Sequence, residues 1–436
     1  MDLKSLYNAL LEAPGQLKNW QDFAAAFRIL DFRGFDPQLK KMFVECLAQP
    51  IRNHQDLARA GSHLLKLTPG FELAFGPHLL DPLLLGLMHN TLLADPEIEK
   101  LLTSTRRYLL THDWLPEYTP FLEALAVQCE RNEFVYSTSE EEERLALSGP
   151  PLIQSTYFSK RSLPVGMVET RTQIKNPVSL LVARQYEENP YPQWEQLPLP
   201  DPSIYPEATL SAKEILIAGC GTGQQAYQTA EIFPQAHIEA FDLSYISLAY
   251  ALSKQRGENI SFFQADLLEL EEWVQKFDLI ECSGVLHHLE NPYKGWKILR
   301  DLLKPNGWML LGLYSTIGRQ DIEAARKAVR GKDLREARQI LLELPPAHPA
   351  KPVTETIDFY TQSGCRDLLF HAHEVTFNLI EIEEMLNSLN LQFDRFIWRD
   401  PELRHKQLSL KEWAAFEKEY PRTFSGMYQF WARPKD

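Results

Sequence analysis

The sequence predicts an α/β protein in which an all-helical N-terminal domain precedes a mostly parallel, doubly wound sheet. Apolar residues recur at three- and four-residue steps through much of residues 1–136, which is typical of helices that bury one face. From about residue 210 to 315, short apolar segments alternate with helical segments, as in β-α-β units. A glycine-rich turn joins the first of these strands to its helix.

Composition narrows the class of protein. The chain has 436 residues, 44% hydrophobic and 24% charged, which predicts a globular protein of two or three domains. Its net charge of −14 disfavours binding to nucleic acid. The five cysteines form no CxxC pair, so reduced thiols are expected instead of disulfides or a zinc site.

The N-terminus lacks the apolar core of a signal peptide, and the most apolar stretch, residues 79–93, is interrupted by polar residues and proline. We therefore expect a cytoplasmic protein without a membrane-spanning segment.

Changes in pattern and proline clusters predict five divisions of the chain. They are an N-terminal helical domain (1–150), a linker and cap segment (151–207), a core of alternating strands and helices (208–316), an insertion or lid (317–380), and a C-terminal helix with a closing β-hairpin (381–436). Residues 318–344 carry seven basic and five acidic side chains. They predict a solvated amphipathic helix, with a surface for an acidic or phosphate-bearing acceptor as the alternative.

The most informative segment is the strand 214–218 and the turn that follows it. The turn consists of Gly219, Cys220, Gly221, Thr222 and Gly223. Glycines there permit backbone conformations that other residues resist, and they let a ligand approach the main chain. The next helix offers free N–H groups at its start. A tight turn without a ligand is the alternative interpretation.

Acids follow the next two predicted strands. Asp242 ends the second strand, where a carboxylate can bind both ribose hydroxyls of a nucleoside. Asp266 follows the third strand, where an acid can accept a hydrogen bond from an adenine amine. A fourth strand (277–282) leads into residues 284–292, and a fifth spans 308–313. These positions all lie at carboxyl ends of strands, where open α/β sheets bind ligands.

In these motifs, residues 210–316 resemble a class I S-adenosylmethionine-dependent methyltransferase domain, similar to the type 11/12 domains. The resemblance implies a seven-stranded Rossmann-like methyltransferase sheet, a helical insertion after strand five, and S-adenosyl-L-methionine as cofactor. It also implies a set of cofactor-binding residues, which are Gly219, Cys220, Gly221, Thr222, Gly223, Asp242, Leu243, Asp266, Leu267, Ser283 and Gly284.

The flanks resemble bacterial tetratricopeptide-repeat-associated methyltransferases of unestablished substrate, at residues 128–136, 186–194, 365–371 and 427–431. The N-terminal helices show no clean repeat. This resemblance therefore indicates the cofactor and not the methyl acceptor.

Three side chains are candidate catalytic residues. His287 and His288 follow the fourth strand, and either is suited to act as a general base, although one could instead pack or orient the loop. Tyr314, just past the fifth strand, could bind the acceptor or close the cofactor pocket.

Other residues are candidates for substrate binding. Tyr191 and Trp194, among prolines, could cap the cofactor, line the acceptor pocket, or clamp two domains together. Arg366, Asp367 and His371 form a polar cluster suited to an acceptor. The His371-x-His373 pair is too small a ligand set to predict a metal site, and none is expected.

The predicted function is methyl transfer from S-adenosylmethionine to a protein side chain, because the region before the core far exceeds what cofactor binding requires. A small-molecule acceptor and a non-catalytic cofactor-binding scaffold are the alternatives. Hydride transfer is disfavoured because the Gly-x-Gly-x-x-Gly spacing is absent.

Overall fold

A computed structural model of the chain describes residues 3–27, 32–112, 116–159, 167–254, 256–398 and 401–435. These residues divide into two compact units. One unit takes in Met1–Ser162 and Ala328–Leu368, and the other takes in Leu163–Lys327 and Leu369–Asp436.

Among the described residues of 3–159, the regular structure is helical, apart from short 3₁₀ turns. They are α1 (Leu3–Glu12), α2 (Leu17–Ala26), α3 (Pro37–Leu47), α4 (Ala58–Leu67), α5 (Pro82–Asn90), α6 (Pro96–Thr111), α7 (Thr119–Arg131), α8 (Glu140–Ser148) and α9 (Pro151–Gln154).

Strands and helices then alternate. In chain order they are β1 (Glu169–Thr170), α10 (Pro177–Glu188), β2 (Glu214–Ala218), α11 (Gln224–Ile232), β3 (His237–Asp242), α12 (Tyr245–Ser253), β4 (Ile260–Gln264), β5 (Phe277–Ser283), α13 (Pro292–Leu302) and β6 (Leu303–Leu313). After them come α14 (Gln320–Ala328), α15 (Leu334–Glu343), α16 (Gln362–Phe370), α17 (Leu379–Ser388), β7 (Leu391–Phe396), α18 (Pro401–Arg404), α19 (Leu410–Glu419) and β8 (Tyr428–Pro434).

Several helices begin at an Asp-Pro or Asn-Pro pair. The carboxylates of Asp36, Asp81 and Asp95 and the amide of Asn176 each accept a hydrogen bond from a backbone N–H in the first turn of their helix. In each case proline occupies the next position, where no N–H is needed. These pairs start α3, α5, α6 and α10.

The helical unit contains a buried ion pair. The guanidinium of Arg338 on α15 donates to both carboxylate oxygens of Glu99 on α6, at 2.9 and 2.8 Å. Arg338 also donates to the carbonyls of Val135 and Phe359. Its side chain is 4% exposed and that of Glu99 is 7% exposed. This ion pair joins residues 328–368 to the N-terminal helices. The charge pattern of 318–344 predicts a solvated helix face, but Arg338 is buried.

The second unit is built on one mixed sheet with the strand order β1-β4-β3-β2-β5-β6-β8-β7. The pairs from β1 to β6 are parallel, and β8 pairs antiparallel with both β6 and β7. The prediction of seven strands is wrong, because the sheet has eight. The additional strand, β1, has only two residues, and so short a segment has no apolar alternation to reveal it.

The last two strands pair with each other, but α18 and α19 lie between them in the chain, so they do not form a tight hairpin. Because β8 lies between β6 and β7, the final strand is buried inside the sheet. Its Tyr428, Phe430 and Trp431 are fully buried.

The order in which the chain adds strands to the sheet reverses at β2. The chain runs outward from β2 to β3 and β4, and then returns to place β5 on the other side of β2. Open α/β sheets bind ligands at such a switch point, outside the carboxyl ends of the strands. The glycine turn after β2 lies at this point. In the part of the chain that the structure describes, no helix is long and apolar enough to cross a membrane.

Candidate functional site

The turn between β2 and α11 is a backbone cradle. Gly219, Gly221 and Gly223 have φ angles of 70°, 51° and 81°, in the left-handed region that favours glycine. A Cβ atom on Gly219 would lie 2.2 Å from a methyl carbon of Val285, so only glycine fits there. The N–H groups of Gly219 and Cys220 donate to the carbonyl of Phe241 and hold the turn against the end of β3.

Asp242 is fixed by backbone donors from two directions. Its Oδ2 accepts a hydrogen bond from the N–H of Gly221 at 2.8 Å, and Oδ1 accepts one from the N–H of Ser244 at 2.9 Å. Burial raises the pKa of the carboxyl, and these two hydrogen bonds offset part of the rise. Each carboxylate oxygen keeps a second lone pair, so the group can still accept from two hydroxyls of a ribose.

Asp266 is fully buried at the end of β4. Its Oδ1 accepts a hydrogen bond from the N–H of Leu268, whereas Oδ2 has no partner within hydrogen-bond distance among the described residues. Burial raises the pKa of this carboxyl, and the nearby hydroxyl of Ser179 lowers it in part. A buried oxygen without a donor is costly, so this acceptor is suited to an incoming N–H group. Leu267 begins the next turn and is itself buried.

The other predicted cofactor residues surround these groups. Gly284, after β5, has a φ angle of 80°, and a Cβ atom placed on it would meet nothing within 4 Å. Leu243 is half-buried beside Asp242. The hydroxyl of Ser283 faces β8, where it contacts Sδ of Met427 and accepts from Gln429. Cys220 packs in the interior, where burial raises the pKa of its thiol, so it is a packing residue.

The aromatic segment before β2 covers the glycine turn. The carbonyl of Tyr191 lies 2.9 Å from the place a Cβ of Gly221 would take. The hydroxyl of Thr222 donates to the carbonyl of Pro192, and the indole N–H of Trp194 donates to the carbonyl of Thr222 at 3.1 Å. Trp194 is 6% exposed, so its ring supports the turn from behind, while Tyr191 is half-buried.

Glu187 was not predicted from the sequence as a site residue. Its carboxylate on α10 accepts from the N–H groups of Tyr245 and Ile246 and so caps the start of α12. It also raises the pKa of the neighbouring Asp242 carboxyl. The local sequence Tyr186-Glu187-Glu188 gives no signal of this role, because α10 and α12 are distant in sequence and meet only in the folded chain.

These features fit a nucleoside cofactor. Left-handed glycines shape a tight turn, Asp242 and Asp266 present acceptors at adjacent strand ends, and Gly284 borders open space. All of them lie at the carboxyl ends of the adjacent strands β4, β3, β2 and β5.

Beside this cradle is a row of rings in contact with one another and with one guanidinium, which we call the histidine column. It consists of Arg319, Tyr314, His287, His288, His371 and Tyr186. The guanidinium of Arg319 lies 3.7 Å from the ring centre of Tyr314, and the ring of Tyr314 also stacks on that of His287 at 3.7 Å. His287 meets His288 edge to face at 4.3 Å, and His288 stacks on His371 at 3.7 Å.

The histidines of the column are neutral at pH 7. Burial holds the pKa of His287 and of His288 well below the usual value. Burial also lowers the pKa of His371, to about 4. The cation of Arg319 acts in the same direction on all three rings. That cation is held in turn by Glu374, whose carboxylate accepts two hydrogen bonds from Arg319 and one from Arg326.

The predicted acceptor residues separate in the structure. His371 joins the histidine column, whereas Arg366 and Asp367 lie on α16 within the helical unit. Arg366 is exposed and Asp367 is buried. Among the residues that the structure describes, no group of three or more His, Cys, Asp or Glu side chains is placed to hold a metal ion.

A family model described as a methyltransferase domain matches residues 215–307. Together with the fold and the cradle, this match defines a class I S-adenosylmethionine-dependent methyltransferase domain in this chain. S-adenosyl-L-methionine is the cofactor of that class.

Several known proteins are similar to the chain. An uncharacterized protein of Synechococcus sp. is 28% identical over 281 residues, covering 55% of this chain and 67% of that protein. The malonyl-[acyl-carrier protein] O-methyltransferase of Halalkalibacterium halodurans is 34% identical over 110 residues, covering 24% of this chain and 40% of that enzyme. PKMT2 from Rickettsia typhi, solved in complex with AdoHcy, aligns with a TM-score of 0.41 and 17% identity, covering 60% of this chain and 53% of that chain. This chain therefore spans about two fifths of the length of the O-methyltransferase that it matches.

Proposed function

We propose that the protein transfers a methyl group from S-adenosylmethionine to an acceptor and releases S-adenosylhomocysteine. The observation that carries this proposal is the alignment of the glycine turn, Asp242, Asp266 and Gly284 at four adjacent strand ends. In the bound state, the cofactor supplies an electrophilic methyl group on a sulfonium. The protein then has mainly to hold and orient the acceptor.

Each cofactor residue would contact a different part of S-adenosylmethionine. Asp242 would accept from the ribose hydroxyls, and the free Oδ2 of Asp266 would accept from the adenine amine. The turn from Gly219 to Gly223, with Leu243, Leu267, Ser283 and Gly284, would shape the remaining contacts. His287, His288 and Tyr314 are proposed to face the acceptor, because they form a ring-lined wall after β5 and β6.

For the acceptor we favour a protein side chain. The helical unit comprises residues of Met1–Ser162 and Ala328–Leu368, a large structure that cofactor binding does not require. Arg366 and Asp367 belong to that unit, and they are the candidate contacts for a protein acceptor.

A small-molecule acceptor is the second candidate, and one observation favours it. His288 is only 6% exposed, so an acceptor that reaches its ring must enter a largely enclosed space, whereas His287 is fully buried. Tyr191, next to the turn, and His371, in the column, would then line a small pocket. A scaffold that binds the cofactor without turnover is the remaining alternative.

Methyl-labelled S-adenosylmethionine distinguishes these possibilities. The purified chain is incubated with labelled cofactor and a cell lysate, which is then separated into protein and small-molecule fractions. Label in the protein fraction supports the favoured acceptor, and label in the small-molecule fraction supports the second. Cofactor binding with no label in either fraction indicates a scaffold. The Asp242→Ala variant serves as the control and should transfer no label.

A further inference from the structure

The hydrogen bonds of the histidine column fix where its protons lie. Nδ1 of His288 is 2.9 Å from the carbonyl oxygen of His373. A carbonyl oxygen can only accept, so Nδ1 of His288 must carry the hydrogen. In a neutral imidazole the other nitrogen, Nε2, then has a free lone pair.

The neighbouring ring has the opposite tautomer. Nδ1 of His371 accepts a hydrogen bond from the backbone N–H of His373 at 3.1 Å, so it carries no hydrogen. The single proton of His371 therefore lies on Nε2, which is 3.2 Å from the hydroxyl of Tyr186. The tautomers of the stacked rings of His288 and His371 are thus both fixed by the same short segment of backbone.

The two adjacent histidines differ in access. Both ring nitrogens of His287 are sealed from solvent and have no hydrogen-bond partner within the described part of the chain, and the ring stacks flat on Tyr314. Nε2 of His288 also accepts no hydrogen bond from the residues that the structure describes, but it is not among the sealed atoms. Of the two rings, only His288 has both a fixed tautomer and an accessible lone pair.

We propose that Nε2 of His288 accepts the proton that the methyl acceptor loses, and that the acceptor atom is therefore a nitrogen or oxygen that carries a hydrogen. This inference rests on the proposed methyl transfer. A carboxylate acceptor brings no proton and would leave Nε2 of His288 without a donor. The carbonyl of His373 is a positioning group, because it holds the ring as a base and does not touch the acceptor.

The step is balanced. The acceptor's lone pair forms the new bond to carbon, and the electrons of the broken carbon–sulfur bond remain on sulfur. The acceptor's N–H or O–H bond breaks, its electron pair stays on nitrogen or oxygen, and the proton goes to Nε2 of His288. The resulting imidazolium keeps its hydrogen bond from Nδ1 to the His373 carbonyl.

The surroundings of His288 keep this base free of a proton before the reaction. The rings of His287 and His371 lie on either side of it, and the cation of Arg319 lies beyond. The charge of Glu374 is already engaged by Arg319 and Arg326. No shift in the protonation of His288 is therefore expected on passing through pH 6.5.

Nuclear magnetic resonance of the full chain labelled with ¹⁵N-histidine tests the tautomer without any cofactor. The His288→Gln variant identifies the signal. We expect His288 to be neutral at pH 7 with its hydrogen on Nδ1, a state that two-bond nitrogen–proton correlations distinguish from the Nε2–H form. A proton on Nε2, or a cation at pH 7, would overturn the inference.

Turnover supplies the second test. His288→Gln should lower turnover by about 10²- to 10⁴-fold, the usual contribution of a general base, and leave the Kd for S-adenosylhomocysteine within about twofold. Added imidazole should restore part of the loss. The matched control is His237→Gln, at a half-exposed ring at the start of β3, which should keep full turnover.

Unchanged turnover in His288→Gln would overturn the role of His288, as would methylation of a carboxylate acceptor. Failure of the wild-type chain to bind S-adenosylhomocysteine would instead contradict the proposed function. The tautomer measurement would then still decide whether the ring is arranged as a base.

Discussion

The cofactor cradle and the histidine column lie on the same sheet but are stabilised by different interactions. The cradle is made of backbone N–H groups, left-handed glycines and carboxylates. Within it, Asp242 accepts hydrogen bonds from two backbone donors. The column is made of neutral rings that stack on one another between Arg319 and Tyr186.

This difference suggests that the cradle determines cofactor affinity and the column determines the rate of methyl transfer. The cradle carries formal negative charge on Asp242, Asp266 and the nearby Glu187, which favours a cofactor that has hydroxyl and amine donors and a positive sulfonium. The column offers one accessible lone pair and no negative charge of its own, so its contribution lies in accepting a proton. Substitutions in the cradle should therefore affect cofactor affinity, and substitutions in the column should affect turnover or acid stability.

The largest effect is expected from Asp242→Ala. The change removes the carboxylate that would bind the ribose, and with it one hydrogen bond to the glycine turn and one to Ser244, so affinity for S-adenosylhomocysteine should fall about 100-fold or more. The control is Asp278→Ala. Asp278 also accepts from two backbone N–H groups, those of Lys213 and Glu214, but at the amino ends of the strands. Calorimetry should show unchanged affinity in the control, and equal losses in both variants would contradict the assignment.

A smaller loss of cofactor affinity is expected from Gly284→Ala. A Cβ there enters space that is empty in the protein and that the cofactor would occupy, so affinity should fall by about tenfold, or roughly 1.4 kcal/mol. Gly331→Ala is matched to it, because Gly331 has a φ angle of 75° and equally open surroundings. Both variants should lose similar stability, about 1–2 kcal/mol, from the strained backbone. If Gly284→Ala binds S-adenosylhomocysteine as tightly as Gly331→Ala does, the cofactor does not border Gly284.

Glu374→Gln tests how the column is held. The change leaves the buried cation of Arg319 without its carboxylate, which should destabilise the protein by about 3 kcal/mol in urea denaturation. Glu269→Gln breaks an ion pair in which the Lys175 side chain is 65% exposed, and it should cost much less. Similar losses in the two variants would show that the ion pair behind Tyr314 does not support the column.

The protonation of His371 gives a prediction that depends on pH. The pKa of His371 is about 4 in the folded chain against about 6.5 when unfolded, so the unfolded chain binds more protons in between. Stability should therefore fall as the pH drops from about 6.5 towards 4, and His287 and His288 act in the same direction. His371→Phe keeps a stacked ring and should reduce the slope by up to about 1.4 kcal/mol per pH unit. An unchanged slope would contradict a neutral His371.

Much of the cradle follows from local sequence. The strand 214–218, the glycine turn and the positions of Asp242 and Asp266 are contiguous signals, since each acid ends its own strand. The five parallel strands of the predicted core are confirmed by the structure, although β6 begins at Leu303 and is longer than predicted.

The column does not follow from local sequence, because its members come from distant segments. His371 meets His288 only because residues 372–377 return along the ends of β5 and β6, where Val375 donates to the carbonyl of His287 and Phe377 donates to that of Tyr314. Likewise, the sequence places Arg319 and Arg338 on a solvated basic helix. In the structure they form buried ion pairs with Glu374 and Glu99, respectively. Charge counts along one segment cannot reveal partners on another.

The central claim is that the switch point of the sheet binds S-adenosylmethionine, and calorimetry on the purified chain tests it most directly. S-adenosylmethionine and S-adenosylhomocysteine should each bind at one site per chain, and NAD should not bind. Binding of NAD, or of none of the three compounds, would contradict the claim.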